Sequence, residues 1–548
     1  MGNTPLKLTR KSLATQTWPQ GYHLPGFDIE AMVKATTQAP AWLHIGAGNI
    51  FRIFVAGLQQ DLLEAGHTDK GIVVYESYDE GIIPASFTPY DNLTLAVTLN
   101  ADGSVAKQVI ASIADAFGAD LSRLCGVIAQ PSLQMISLTI TEKGYAVFPD
   151  KICPGPDQAV TAMEQVTAGL YARFQAGAPP LALVAMDNFA ENGTKVANAA
   201  KTIAKAWQVG GKVPAPFVEY VKAQAYPWTM IDKITPQPSK AIAEILEKDD
   251  YSSTQITQTA KNTTVASFVN AEGPQYLVIE DCFPNGRPPL EKAVGKGVFM
   301  TDRETVRKAD QMKVCACLNP LHTILGVCGT LLGYPTIAAC MQDKRLVALI
   351  KKAANEAMPT VANPGIINPQ DFLNEVVTQR FPNPFIPDTP ARINADASQK
   401  IPVRFGETLK ARKAAGLPIA GADTSMDGTH GGLEAIPRFI ALWLRYRMGK
   451  DDTGAEIELS PDPRLPEAVL PLLQLDMGAN VKSPETCQAD CTKVANLRPI
   501  LSDASIFGVD LYAVGLADTI EKFFVQLTSH PGAVSKFLDD TAQLFAMS

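Results

Sequence analysis

Between about residues 40 and 290, short apolar runs alternate with stretches whose apolar residues recur every three or four positions. The run Ala41-Trp-Leu-His-Ile meets Gly46-Ala-Gly48, and then Phe51, Phe54, Val55, Leu58 and Leu62 recur at helical spacing until Gly66 stops the helix. A second strand, Gly71-Ile-Val-Val-Tyr-Glu76, follows at once. Ile136-Ser-Leu-Thr-Ile, Leu181-Ala-Leu-Val-Ala and Tyr276-Leu-Val-Ile are the clearest later strands. Alternation of this kind predicts an α/β domain whose sheet is mainly parallel and wound with helices. Near Gly295 to Asp302 the pattern changes. Beyond it strand patterns are scarce, and helical stretches such as Arg438-Phe-Ile-Ala-Leu-Trp-Leu-Arg and Leu516 to Leu527 predict a mostly α-helical C-terminal domain. The boundaries read as an N-terminal extension at 1–36, a first domain at 37–297 and a second at 298–548. Neither an internal repeat nor a low-complexity linker is evident.

Two apolar features need a reading of their own. The run Ile324 to Met341 is interrupted by Gly326, Gly329, Gly333 and Pro335, which predicts a buried helix pair rather than a membrane span. Phe439, Trp443 and Tyr446 form an aromatic stripe at helical spacing and read as core.

The order strand, glycine turn, helix, strand, with an acid closing the second strand, is the Rossmann-like dinucleotide-binding pattern. Gly46 and Gly48 let the backbone approach a pyrophosphate, which rests on the N–H groups of the helix that follows. The expected cofactor contacts are Gly46, Gly48, Asn49, Phe51 and Arg52, with Phe51 standing where the third glycine of the fingerprint would be. Glu76 accepts from ribose hydroxyls and repels a 2′-phosphate, so the expected cofactor is NAD.

Composition narrows the class. At 548 residues the chain is too long for one core, so two domains are the prior. Hydrophobic content of 46% and charged content of 19% describe a globular protein. A net charge of −8 argues against nucleic acid or an anionic membrane as partner. Nine cysteines without clustered histidines, including the loose pairs Cys315/Cys317 and Cys487/Cys491, read as reduced thiols in a cytoplasm and not as a zinc site. No metal is expected. The expected partner is a small molecule, and the protein itself a monomer or small homo-oligomer.

Chemistry concentrates in Lys313-Val-Cys-Ala-Cys-Leu-Asn319-Pro-Leu-His322. A lysine in apolar surroundings serves as a general base once its amine is neutral. Side-chain amides such as those of Asn188 and Asn319 donate to a developing alkoxide without a proton to lose. Asp310 lies three residues before Lys313 on the same helical face as a relay candidate, and Asp232 could orient the amine.

Several segments together resemble the polyol-specific long-chain dehydrogenases of the mannitol dehydrogenase family. They are Gly46-Ala-Gly-Asn-Ile-Phe-Arg52, Thr141-Glu-Lys-Gly-Tyr145, Asp187-Asn188 with Asn192-Gly193, and Met230-Ile-Asp232-Lys233-Ile-Thr-Pro236. Further along come Ile279-Glu-Asp281 with Gly286-Arg-Pro288, Asn319-Pro-Leu-His322, Arg380-Phe-Pro-Asn-Pro384, and Asp388-Thr-Pro-Ala-Arg392 running to Ser398-Gln-Lys400-Ile-Pro402. The resemblance implies an NAD-dependent secondary-alcohol dehydrogenase whose active site lies in a cleft between the two domains. It implies Lys313 as catalytic base, Asn188 and Asn319 as paired donors, and Asp232 and His322 beside them. There is one departure: five residues, Val314 to Leu318, separate the lysine from the asparagine, where the family has four. One extra residue rotates a helical side chain by ~100°, so either a local bulge restores the geometry or Lys313 is not the base.

A sugar acid needs a cation for its carboxylate, and a neutral polyol does not. Arg392 and Lys400 are the substrate-binding candidates, with ion pairing as their structural alternative, and His322 is expected to read a sugar hydroxyl. The wording Cys-Leu-Asn-Pro-Leu-His is similar to the mannonate-oxidising branch, which implies interconversion of D-mannonate and D-fructuronate. Tagaturonate reduction and mannitol oxidation stay open as alternatives, as does a non-catalytic dinucleotide-binding protein. Asp423-Thr-Ser-Met-Asp-Gly-Thr-His430 reads as a polar turn opening a helix.

Overall fold

The computed structural model describes residues 5–293, 295, 297–421, 431–478, 480–481 and 494–547. The turn at 423–430, His430 included, and the pair Cys487/Cys491 lie outside the described residues. The chain divides into two compact units, Met1–Arg307 and Lys308–Ser548. The division falls within helix Arg303–Met312, later than the change of pattern at 297/298.

The first unit is organised by a five-stranded sheet, all parallel. Its strands in chain order are β1 (Trp42–Ile45), β2 (Ile72–Glu76), β3 (Ile113–Gly118), β4 (Met135–Leu138) and β5 (Ala182–Ala185). They lie side by side as β3-β2-β1-β4-β5, so the order reverses between β1 and β4. Every residue of β1, β2, β4 and β5 is buried, as expected when helices cover both faces. Because side chains alternate, one face carries Leu43, Ile45, Val73, Tyr75, Ile136 and Leu138 into a core with helices Leu121–Ile128, Ala162–Gln175 and Asn192–Val209. The other face sends Trp42, Val74, Met135 and Val184 against Phe51, Phe54, Leu58 and Leu62.

Among the described residues of this unit, three further sheets stand apart from it, one of them the antiparallel pair Ile256–Gln258 and Thr264–Ala266. Tyr276–Glu280 is a strand, but it pairs antiparallel with Thr229–Asp232 and parallel with Val298–Thr301, outside the parallel sheet. A mixed sheet joins Tyr22–His23, Val105–Ile110, Thr94–Leu99 and Phe268–Glu272. The stretch read as an N-terminal extension thus supplies an edge strand. It also holds helices Arg10–Thr15 and Ile29–Gln38, capped by the side chains of Thr9 and Asp28. A two-residue strand and a six-residue helix are too short for periodicity to reveal.

In the second unit, the buried helix Asn319–Leu331 packs against Lys344–Ala357, Ala435–Tyr446 and the short helix Pro390–Asn394. Gly326 and Gly329 are there for close approach. A Cβ on Gly326 would meet Ile393 and Asn394 at 2.8 Å, and one on Gly329 would meet Cys340 at 2.6 Å and Pro390 at 2.9 Å. Residues 324–341 form the end of this helix and the short helix Ile337–Cys340. The helical run Arg303–Leu331 is long and apolar enough to cross a membrane by composition, and it is mostly buried inside the fold. Phe439, Trp443 and Tyr446 are fully buried. The carboxylate of Glu356 caps their helix by accepting from the N–H groups of Glu434, Ala435 and Ile436 at 2.6–3.1 Å.

Candidate active site

The turn after β1 is shaped for a close ligand. Gly46 has φ +106°, and a Cβ there would lie 2.4 Å from the Thr139 carbonyl oxygen, so no other residue fits. At Gly48 a Cβ would meet nothing within 4 Å, which leaves the space above it open for a ligand. A helix starts at Asn49, its first continuing bond running from Arg52 N–H to the Gly48 carbonyl at 3.1 Å, so the preceding N–H groups have no intrahelical partner. Glu76 is buried at the end of β2. Its Oε1 accepts from the N–H groups of Tyr78 (2.8 Å) and Asp79 (3.0 Å), and Oε2 accepts from Ala47 N–H (2.7 Å). Oε2 retains one lone-pair position for a ribose hydroxyl. Open glycine, helix N-terminus and a carboxylate with spare acceptor capacity fit a dinucleotide.

Phe51 and Arg52 are corrected. Phe51 is fully buried, its ring stacked on His44 at 4.0 Å, so it supports the turn from beneath. Arg52 is also fully buried. Its guanidinium donates to Thr94 Oγ1 (3.1 Å) and the Ala266 carbonyl (2.9 Å), and burial pushes its pKa down to about 10. It ties the helix to neighbouring chain and presents no surface to a cofactor.

Asn188 is exposed in the turn following β5. The residue before it is anchored: the Asp187 carboxylate accepts from Ile140 N–H (2.8 Å), Thr141 N–H (3.1 Å) and the Tyr145 hydroxyl (2.7 Å). Burial pushes the Asp187 carboxyl up, against the pull of those donors. Thr141, held in this way, has φ +63°, a conformation that β-branched residues rarely adopt. Asp232, also buried, ends its strand opposite Tyr276.

The second unit carries the other candidates. Lys313 is 1% exposed and opens a five-residue π turn, Lys313–Cys317, closed by Leu318 N–H to the Lys313 carbonyl at 3.1 Å. A π turn takes one extra residue into a single turn, so the fifth residue before Asn319 adds length without rotating Lys313 away by a full helical step. Asn319 is the first residue of the next helix, and His322 lies one turn further on. Of the four π turns among the described residues, the others hold Phe51 and Arg52, Arg380, and Arg404.

His322 Nε2 lies 3.0 Å from Asp388 Oδ2. The same carboxylate grips Arg392, Nε to Oδ1 and Nη2 to Oδ2, both at 2.6 Å. Burial raises the Asp388 carboxyl, but His322 and Arg392 prevail and hold it at about 2. Burial lowers the His322 pKa, with Arg392 and Arg404 adding to the effect and Asp388 opposing it, so the ring is neutral at pH 7. Arg392 is therefore paired within the protein, with its side chain 65% exposed. Lys400 donates to the carbonyls of Ile393 and Ala395, and burial, helped by Arg404 and Arg392, lowers its pKa. Arg404, largely buried, donates to Thr323 Oγ1 and the Asn319 carbonyl and so steadies the start of the Asn319 helix.

Asp388 and Arg404 are the members of this cluster that sequence reasoning left without a role. For Asp388 there was a signal, an acid four residues before Arg392 at the start of a helix. Arg404 gave none. Among the described residues no group of three or more His, Cys, Asp or Glu side chains is placed to hold a metal ion.

The chain matches the mannitol dehydrogenase Rossmann domain over residues 40–292 and the mannitol dehydrogenase C-terminal domain over residues 306–514. It is 45% identical to the D-mannonate oxidoreductase of Thermotoga maritima, over 98% of this chain and 99% of that one. It is 28% identical to a mannitol 2-dehydrogenase of Cereibacter sphaeroides, over 79% of this chain and 85% of that one. Among solved structures, D-sorbitol dehydrogenase in substrate-free form shares the fold with a TM-score of 0.76 at 22% identity, covering 97% of this chain and 100% of that one. Pseudomonas fluorescens mannitol 2-dehydrogenase, in ternary complex with NAD and D-mannitol, does so with a TM-score of 0.68 at 23% identity, covering 98% and 99%. This chain belongs to the mannitol dehydrogenase family and is an oxidoreductase of secondary alcohols that uses a nicotinamide cofactor.

Proposed function

We propose that the protein interconverts D-mannonate and D-fructuronate with NAD as its cofactor. The observation that carries this reading is that Arg392 and Arg404 both lie close enough to His322 and to Lys400 to push the pKa of each of those two groups down. A hexonate carboxylate finds cations there, while a neutral polyol has no use for them. The 45% identity to a D-mannonate oxidoreductase supports the same choice.

Gly46, Gly48, Asn49 and Glu76 would hold the dinucleotide, which when bound would supply the hydride acceptor or donor. Lys313 Nζ takes the proton of the reacting hydroxyl, and the amide of Asn319 donates to the alkoxide oxygen. His322, with Nε2 committed to Asp388, offers Nδ1 to a sugar hydroxyl. Arg392 turns its remaining N–H groups to the carboxylate, and Lys400 adds charge. Glu76, with one acceptor position left for a ribose hydroxyl and no tolerance for a 2′-phosphate, favours NAD over NADP.

One observation favours a second reading. Asp388 already neutralises Arg392, which suits a neutral polyol. The two part in one assay: oxidation of NADH, with NADPH as control, against D-fructuronate, D-tagaturonate and D-fructose. Turnover confined to fructuronate and NADH is expected. A preference for fructose would move the protein to the polyol branch, and NADH binding without turnover on any of them would end the proposal.

A further inference from the structure

Beneath the dinucleotide turn runs a chain of buried polar groups that none of the roles above uses. Trp42 and His44 lie two apart on β1, and Ser137 and Thr139 two apart on β4 and its end, so all four face the same side of the sheet. His44 and Ser137 are direct partners in the β1–β4 register. Trp42 Nε1 donates to Ser137 Oγ at 2.7 Å, Ser137 Oγ lies 2.6 Å from His44 Nδ1, and His44 Nε2 lies 2.9 Å from Thr139 Oγ1. Trp42, His44 and Ser137 are fully buried, whereas Thr139 is half-buried at the edge.

The proton positions follow from elimination. An indole N–H only donates, so Ser137 Oγ accepts from Trp42. The Ser137 proton has His44 Nδ1 as its one acceptor among the described residues, and leaving a buried hydroxyl proton unpaired is costly. Nδ1 therefore accepts. Burial pushes the imidazole down to about 3, so the ring is neutral and carries its single proton on Nε2. Nε2–H then donates to Thr139 Oγ1, with the Gly46 backbone as a second partner of the ring. The threonine, having accepted, has its own proton left to give, and no described residue takes it. Its oxygen sits 3.1 Å from where a Cβ on Gly46 would stand, at the point where the strand order reverses. Ligands of open α/β sheets bind outside the strand ends at that reversal.

We propose that Thr139 is a cofactor-binding residue, its hydroxyl set as a donor to an acceptor oxygen of the dinucleotide by the relay Trp42, Ser137, His44. The proposal rests on the reading of Gly46–Gly48 as the dinucleotide turn. It assigns the buried Trp-x-His of β1 and Ser-x-Thr of β4 to one task, orienting a single hydroxyl.

The test is NADH binding to the full-length protein, followed by fluorescence titration with the thermal midpoint of the unliganded chain as a check on folding. Thr139→Ser, which keeps the hydroxyl, should bind within about twofold of the parent, and Thr139→Val about tenfold more weakly. Ser137→Ala, which touches no ligand, should also weaken binding several-fold because it frees the His44 tautomer. In the parent protein, imidazole ¹⁵N spectra should show His44 protonated at Nε2 and bare at Nδ1. Unchanged affinity in Thr139→Val overturns the proposal. If that variant does not fold, unchanged affinity in Ser137→Ala does so, as does a proton on Nδ1. Gly48→Asp, whose Cβ meets nothing in the protein, should abolish NADH binding. If it does not, the dinucleotide turn itself has been misread, a failure separate from that of Thr139.

Discussion

Asp388 is the residue on which the proposed substrate-binding cluster turns, because one carboxylate holds both His322 and Arg392. Its pKa is depressed from 3.8 to about 2, so the stability it contributes is fully present above pH 4 and is lost as pH falls through about 2. The shift corresponds to about 2 kcal/mol. Urea unfolding of Asp388→Asn should show a deficit of that order at pH 6 that closes as pH approaches 2. A deficit constant in pH would mean that the pairing is not electrostatic. Arg392→Ala should raise the KM for a hexonate roughly tenfold, since the substrate carboxylate loses a charge-assisted partner, with a smaller change in kcat. Steady-state kinetics on fructuronate read the split directly, and an unchanged KM would favour the polyol reading. Arg392 and His322 could be named from the chain alone because they stand in compact motifs. Their common partner was less visible, since His322 and Asp388 are brought together only by the packing of Pro390–Asn394 on the Asn319 helix.

The π turn decides whether Lys313 can be the base. Deleting Val314 restores four residues between lysine and asparagine, and an ordinary α turn then gives the angular relation that the π turn preserves with five. That variant should keep kcat within about tenfold, while Lys313→Met should lose a factor of ~10²–10⁴. Equal collapse of the two would show that the turn has a purpose other than spacing. Such a turn is invisible to hydrophobic periodicity, which is why the sequence left both a bulge and a misplaced lysine open. The central strands were legible because burial on both faces makes them continuous apolar runs. The strand Tyr276–Glu280 was equally legible as a strand, yet its sheet was not, because pairing is decided by distant chain. The hairpin of Thr94–Leu99 and Val105–Ile110 was not read from the sequence: its second strand is half-exposed over most of its first four residues, and Lys107 and Gln108 interrupt its apolar run. Phe51 and Arg52 misled because proximity to a glycine turn says nothing about which side of the helix a residue faces.

For the molecule as a whole, cofactor choice should appear as stability. A ligand at one hundred times its Kd stabilises the folded state by about 2.7 kcal/mol. On the proposed role of Glu76, NADH should raise the unfolding midpoint measurably, and NADPH at the same concentration much less. Equal shifts would refute the NAD assignment.

The segment around Leu6 and Leu8 has a consequence for biogenesis. Leu6 bonds to Asp250 and Ser252, and Leu8 N–H to Ser253 Oγ, 245 positions further along the chain. Leu8 is fully buried in the finished fold. On the ribosome this segment emerges long before its partners and must wait, apolar and unpaired, through the synthesis of nearly the whole first unit. It is a natural handle for a chaperone, and a nascent chain stalled before residue 250 would still display it.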